Sequence, residues 1–260
     1  MKPGPQSSSD DYSFRHSHFI AEVLENEHLI GLFADAKELP CGFGVGLDER
    51  VVELPWVLAQ GLTGVALDAG SALNHDYLLQ RILRKVDELH IATLAPEPLS
   101  FVERGVSYVF TDLRDLPYRD GIFDVVVSVS TLEHVGMDNT VYGVNEPRAD
   151  DPVMETARAA HELRRVLRDE GVLLVTLPYG APEDHGWFRQ FGRADVDRFV
   201  ADVGARIATT TVYGYSADGW QVSALDEAAN ATYTNGLLTS KRTPDLAVAA
   251  RAVVCMALRF

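Results

Sequence analysis

Acids, small residues and histidines stand at the ends of apolar runs in this chain. Asp68 closes Val65-Ala66-Leu67 and leads into Ala69-Gly70-Ser71, and Asp112-Leu113 follows Val109-Phe110-Thr111. Ser128 ends Val125-Val126-Val127, with Glu133-His134 shortly after it, and Asp184-His185 follows Leu177-Pro178-Tyr179-Gly180. A carboxylate accepts hydrogen bonds from ligand hydroxyl and amino groups, and glycine lets backbone come close to a ligand. Histidine takes a proton near neutral pH. Those residue types suit binding of a polar small molecule followed by proton transfer.

The apolar runs decide where these groups sit. Short β-branched runs that stop at a small or acidic residue read as strands buried on both faces, as in a parallel sheet. In such a sheet ligands lie outside the carboxyl ends of the strands. Strands are expected at Gly64–Asp68, Glu88–Leu94, Ser107–Thr111, Phe123–Val129, Val172–Leu177, Ala205–Tyr213 and, after a long interval, Ala247–Leu258. Helical spacing marks Phe19–Leu32, Glu49–Leu62, the stretch from Tyr77 to Val86 with Asn74 or Asp76 as N-cap, Thr156–Leu167 and Ala194–Val203. The alternation implies an α/β, doubly wound sheet. The expected organisation is a flexible tail at 1–14, a helical cap at 15–62 and an α/β domain at 63–260, with long insertions at 136–151 and 214–246. Aromatic and amide residues in the insertions (Tyr142, Asn145, Tyr215, Trp220, Tyr233, Asn235) favour ordered loops that choose a substrate.

Composition narrows the function. At 260 residues, 47% of them hydrophobic, the chain suits one sizeable core. A net charge of −15 argues against nucleic acid, whose binding rests on basic patches. Arg164, Arg165 and Arg168 cluster, but among Glu162, Asp169 and Glu170, which reads as a solvated face. No apolar run is long enough for a membrane span, and no secretion or transit pattern opens the sequence. Cys41 and Cys255 both lie in apolar context and read as reduced thiols, so a cytoplasmic location is expected. The acidic series Asp138, Glu146, Asp150, Asp151 and Glu155 has no diagnostic metal spacing and reads as a solvated loop, so no metal ligand is assigned. Phosphate-loop, zinc-hydrolase and nucleophile-elbow motifs are absent, and Gly70-Ser71-Ala72 fails the dinucleotide turn.

Together the pieces between Gly64 and Leu177 resemble the cofactor half of a class I S-adenosylmethionine-dependent methyltransferase. The resemblance implies a mostly parallel seven-stranded sheet with the last strand antiparallel, and S-adenosylmethionine as cofactor. It implies that Gly70 and Ser71 lie beneath the methionine end, with Asp68 ordering the turn or meeting the amino group. The family's second glycine is Ala72 here, and Thr93 stands where an acid usually holds the ribose hydroxyls, with Glu97 four residues on. Asp112 would accept from the adenine amino group beside the Leu113 N–H, and Ser128 would line the same cleft. Glu133-His134 corresponds to an acid–His pair facing the cofactor edge, and Glu170-Gly171 stands where Gly-Gly is usual.

For a hydroxyl acceptor a base is needed, and His134 and His185 are the two candidates, the latter oriented by Asp184 or Glu183. Each also has a plain structural reading, as a packed helix-start residue and a surface-loop residue. Trp187, Phe188 and Phe191 read as pocket wall or as core. The expected activity is methyl transfer to a hydroxyl of a small molecule, a sugar or glycosylated natural product. Two alternatives stay open: a fold that binds without transferring, motivated by Ala72 and Thr93, and transfer to a nitrogen or protein acceptor. The N-terminal helices can cap the site or pair with a second copy as a homodimer.

Overall fold

The computed structural model describes residues 8–144, 147–236 and 243–260. The β-branched runs do form the sheet. Its strands are β1 (Gly64–Ala69), β2 (Val86–Thr93), β3 (Val106–Phe110), β4 (Phe123–Val129), β5 (Leu167–Pro178), β8 (Ile207–Ser216), β9 (Gly219–Ser223) and β10 (Ala252–Arg259), and β6 (Glu183–Asp184) with β7 (Arg189–Gln190) forms a separate hairpin. The spatial order is β3-β2-β1-β4-β5-β10-β8-β9. β1 runs parallel to β2 and β4, β2 to β3, and β4 to β5, whereas β10 is antiparallel to both β5 and β8. The chain therefore reverses direction in the sheet order at β1, between β2 and β4, and opens a crevice at the strands' carboxyl ends there.

The sheet has eight strands, not the seven expected. The extra one, β9, lies inside the segment read as the 214–246 insertion and pairs antiparallel with β8. Its partner on the other side explains it. Trp220 N–H donates to the Phe43 carbonyl at 2.8 Å, the Trp220 indole N–H to the Leu47 carbonyl at 3.1 Å, and the Gln221 amide clasps both backbone groups of Leu39. Gly219 is required there, since a Cβ would meet the Phe43 backbone. The remainder of that insertion includes the short helix α7 (Leu225–Ala228); the other insertion holds a 3₁₀ turn at Asn139–Tyr142. Asn145 and Glu146 lie outside the described residues.

Three helices precede the sheet: α1 (Ser8–Glu25), α2 (Glu27–Ala34) and α3 (Arg50–Ala59). α1 begins within the stretch expected to be a tail, and residues 1–7 lie outside those described. One continuous helix was expected at Phe19–Leu32. Instead Asn26 adopts an extended conformation and its side chain accepts from Leu29 N–H at 3.2 Å, capping α2 and ending α1. α4 (Asp76–Ile82) follows β1, and its N-cap is His75, which makes no side-chain cap bond, in place of Asn74 or Asp76. α5 (Pro152–Val166) is capped by Asp151 with Pro152 opening its first turn, and α6 (Arg193–Val203) precedes β8.

Helices α1 to α4 pack their apolar residues on one face of the sheet, and α5 with α6 covers the other. The sheet residues are consequently buried on both sides, Leu67 and Val126 facing one layer and Ala66 and Val127 the other. No helix among the described residues is long and apolar enough to cross a membrane. Cys255 is buried in β10, but Cys41 is exposed, contrary to its apolar context, and neither is in a disulfide.

Trp220 is 1% exposed and joins the last hairpin to the cap. Trp220→Ala should cost about 3–5 kcal/mol of unfolding free energy by urea denaturation. A loss within 1 kcal/mol would mean that β9 is not a structural clamp.

Candidate functional site

A cavity of about 320 Å³ lies at the carboxyl ends of β1 to β4. It is bordered by Gly70 after β1, Thr93 to Glu97 after β2, Thr111 to Arg114 after β3, and Ser130, Thr131 and His134 after β4. Five of the expected site residues (Gly70, Thr93, Asp112, Leu113 and His134) thus line one space.

Asp68 and Ser71 shape its floor. Asp68 is fully buried, with Oδ2 accepting from Leu73 N–H at 2.7 Å, while Oδ1 has no partner among the described residues. Burial pushes the carboxyl up to about 7, offset in part by the turn's backbone N–H groups and reinforced by Glu97. Gly70 has φ +124°, and a Cβ there would collide with the Thr131 side chain, so glycine at this position answers a backbone need. Ser71 adopts φ +65° and its hydroxyl donates to Glu97.

Glu97 folds back to the ends of β1 and β2. Besides Ser71, its carboxylate accepts from Asn74 Nδ2 at 3.2 Å and Thr93 Oγ1 at 3.3 Å. The acid absent at position 93 is thereby supplied at the same edge by a residue four positions on.

Asp112 is less free than its position suggested. Arg114 Nε lies 2.9 Å from both carboxylate oxygens, a second guanidinium nitrogen also contacts Oδ2, and Arg114 N–H donates to Oδ1 at 2.8 Å. Burial raises this carboxyl's pKa, but the Arg114 hydrogen bonds and charge outweigh it and hold the group below its usual range. Arg114 also reaches Glu155 at 2.5 Å. Two further members of the acidic series serve as caps, Asp138 on Thr140 and Asp151 on Val153 and Met154. No group of three or more metal-ligating side chains converges among the described residues.

His134 ends a 3₁₀ turn after β4 and is packed by Trp187 at 5.1 Å and Tyr142 at 5.5 Å, ring centre to ring centre. Its Nδ1 lies 2.9 Å from the Trp187 carbonyl. A carbonyl only accepts, so Nδ1 carries the proton and Nε2 keeps its lone pair. Burial lowers the imidazole pKa to about 4, the Trp187 bond opposing and the Arg50 charge adding to it.

His185 and Ser128 are placed elsewhere. The β6–β7 hairpin turns His185 onto Phe188, ring centres 4.4 Å apart and parallel, with Tyr233 at 5.3 Å, and it is not among the residues bordering the cavity. Asp184, expected to orient it, pairs with Arg148 instead, and Glu183 stands 3.5 Å from Nε2. Phe188 and Phe191 are core, 2% and 1% exposed. The Ser128 hydroxyl is buried inside β4 without a partner among the described residues, and Ser130 occupies the cavity edge in its place.

The cap contributes a group that strand-end reasoning missed. Arg50, the first residue of α3, borders the main cavity and an adjoining one of about 410 Å³ lined also by His16, Asn74 and Tyr77. Its NH1 donates to Glu53 Oε2 at 2.8 Å and to the Val129 carbonyl at 3.2 Å. Glu53 is fully buried and accepts from Ser130 Oγ at 2.5 Å and Thr176 Oγ1 at 2.7 Å. Burial disfavours the guanidinium's charge, yet Glu53, Glu49, Glu133 and Asp48 outweigh it and raise the pKa of Arg50. The available signal was an acid on the apolar face of a helix, Glu53 between Val52 and Leu54.

Strand order and a cleft at the strands' carboxyl ends define a Rossmann-like methyltransferase fold. Residues 67–175 match the family described as "Methyltransferase domain". That match runs from within β1 to within β5, takes in the turns that border the cleft, and supports S-adenosylmethionine as the cofactor. None of the curated proteins matches the sequence. Among solved structures, the chain is similar to a methyltransferase of Thermotoga maritima described as a possible histamine N-methyltransferase (14% identity, 94% of this chain and 99% of that one, TM-score 0.49). It is also similar to the 1,6-didemethyltoxoflavin-N1-methyltransferase of Burkholderia thailandensis (13%, 99% and 93%, 0.47) and to the N-methyltransferase NodS of Bradyrhizobium japonicum, solved with S-adenosylhomocysteine (12%, 78% and 81%, 0.45).

The raised pKa of Asp68 makes a pH test. The folded state binds its proton more tightly than the unfolded chain, so stability falls as pH rises from about 4 to about 7. Asp68→Asn removes that loss. Relative to the parent, the variant should gain on the order of a few kcal/mol between pH 4 and pH 8 in urea denaturation. An unchanged difference would show that Asp68 is ionised throughout.

Proposed function

We propose that the protein transfers a methyl group from S-adenosylmethionine to a hydroxyl of a small molecule, with sugars and glycosylated natural products as the acceptor class. The observation that carries this reading is His134, a neutral imidazole at the cavity edge whose Nδ1–H is fixed on a carbonyl and whose Nε2 keeps its lone pair. The bound cofactor supplies a methyl group made electrophilic by its sulfonium, which leaves as the neutral thioether. Glu97 with Thr93 would receive the ribose hydroxyls, Asp112 the adenine amino group, and Leu113 and Val135 the ring faces. Asp68 and Ser71 would hold the turn under the methionine end. Gly70 keeps that floor low.

When the new carbon–oxygen bond forms, the acceptor's hydroxyl proton passes to His134 Nε2. Asn139 and Tyr142 flank the approach and suit a polar, ring-shaped acceptor. Alignment of the two reactants contributes about 7–11 kcal/mol in favourable cases, and a general base adds about 10²–10⁴-fold. His185, stacked on Phe188, supports the wall behind His134 in this reading.

A nitrogen acceptor is the second reading, and the low pKa of His134 favours it. An imidazole that titrates near 4 is a weak proton acceptor, and an amine arriving neutral needs no base. The binding-only alternative loses its main motive, because Glu97 stands at the edge where Thr93 lacks a carboxylate. Two unpaired cysteines support a cytoplasmic setting.

His134→Ala should lower kcat with a hydroxyl acceptor by about 100-fold or more while leaving S-adenosylhomocysteine affinity within about threefold. Full turnover by the variant would remove the base and favour the amine reading. Because His134 is neutral above about pH 4, kcat/KM should show no acid limb from this residue between pH 8 and pH 5. A limb near pH 6.5 that disappears in the variant would contradict the assignment.

A further inference from the structure

We infer that Arg50 is the receptor for the α-carboxylate at the methionine end of the cofactor, an assignment that rests on the cofactor reading of the cleft. The turn after β1 has few donors left for an anion. Gly70 N–H is given to the Ala92 carbonyl at 2.8 Å, and Leu73 N–H to Asp68 Oδ2 at 2.7 Å. A carboxylate placed beside Gly70 needs donors from another element.

Arg50 supplies them. Its guanidinium has five N–H donors in a fork that fits a carboxylate. Only NH1 is engaged, by Glu53 and the Val129 carbonyl, so Nε and NH2 have no partner among the described residues. The side chain is 31% exposed and borders both cavities where they meet at Gly70. The other arginine on the main cavity, Arg114, is committed to Asp112 and Glu155 on the far side, where adenine is expected. Buried Glu53 fixes the position of NH1 on a residue that lines both cavities.

Two ligands separate this role from a structural one. S-adenosylhomocysteine carries the amino-acid carboxylate, and 5′-methylthioadenosine keeps the adenosine and thioether but lacks it. By calorimetric titration, Arg50→Gln should weaken S-adenosylhomocysteine by about 10–100-fold, as for loss of charge-assisted hydrogen bonds. It should leave 5′-methylthioadenosine within twofold. Arg50→Lys keeps a cation beside Glu53, so it should fall between parent and Gln variant on S-adenosylhomocysteine alone, and it decides the matter if the Gln variant does not fold. Equal losses on both ligands, or no loss on either, would overturn the assignment. A parent protein that binds neither ligand would remove the cofactor reading itself, and the role of Arg50 with it.

Discussion

One buried carboxylate holds the cap to the sheet. Glu53 has no contact with solvent, and its oxygens take hydrogen bonds from Arg50 in α3, Ser130 at the end of β4 and Thr176 in β5. A buried acid without such partners would cost several kcal/mol; breaking a buried charge pair by removing one member typically costs about 3–5 kcal/mol. The partners lie 77 and 123 residues away in sequence, so the bonds form only when helix and sheet are in register. That register brings Arg50 to the cleft mouth and Ser130 to its edge.

A second layer of constraint surrounds this one. Asp48 accepts from Tyr12 at 2.8 Å and lies 2.7 Å from His16 Nε2, which fixes α1 against the start of α3. Burial raises the pKa of Asp48, but the His16 and Tyr12 bonds and the Arg50 charge overcome it and keep the group below its usual range. Glu49, by contrast, is pushed up to about 8 by burial and by its acidic neighbours. The strand-end residues then form parts of one cleft: a floor of Asp68, Gly70 and Ser71, a polar edge of Thr93 and Glu97, and, in the proposed reading, a ring slot at Leu113 and a base at His134. Substitution of Thr for an acid at position 93 does not empty that edge, because the loop after β2 carries Glu97 back to it.

The sequence showed what depends on short-range pattern. The β-branched run Val125-Val126-Val127 and the apolar run Leu173-Leu174-Val175 have no helical spacing, and both became central strands. Asp112-Leu113 and Glu133-His134 were legible for the same reason, since each follows such a run. What pattern could not show was contact between distant segments. Gly219–Ser223 is a strand because it pairs with β8 and grips the loop at Leu39 and Phe43, and its own five residues carry little strand signal. Asn26 split a helix that apolar spacing alone joined, because its side chain competes for the backbone. His185 read as a loop residue near the acceptor, but the β6–β7 hairpin closes it onto Phe188. Arg50 and Glu53 were hidden in an otherwise apolar helix.

The most direct measurement is a crystal structure of the intact protein with S-adenosylhomocysteine. The account predicts the ligand across the ends of β1 to β4, with its ribose hydroxyls on Glu97, adenine against Leu113 and its thioether within reach of His134. A ligand seated elsewhere, or a cleft that stays closed to it at saturating concentration while the fold is intact, would contradict the account.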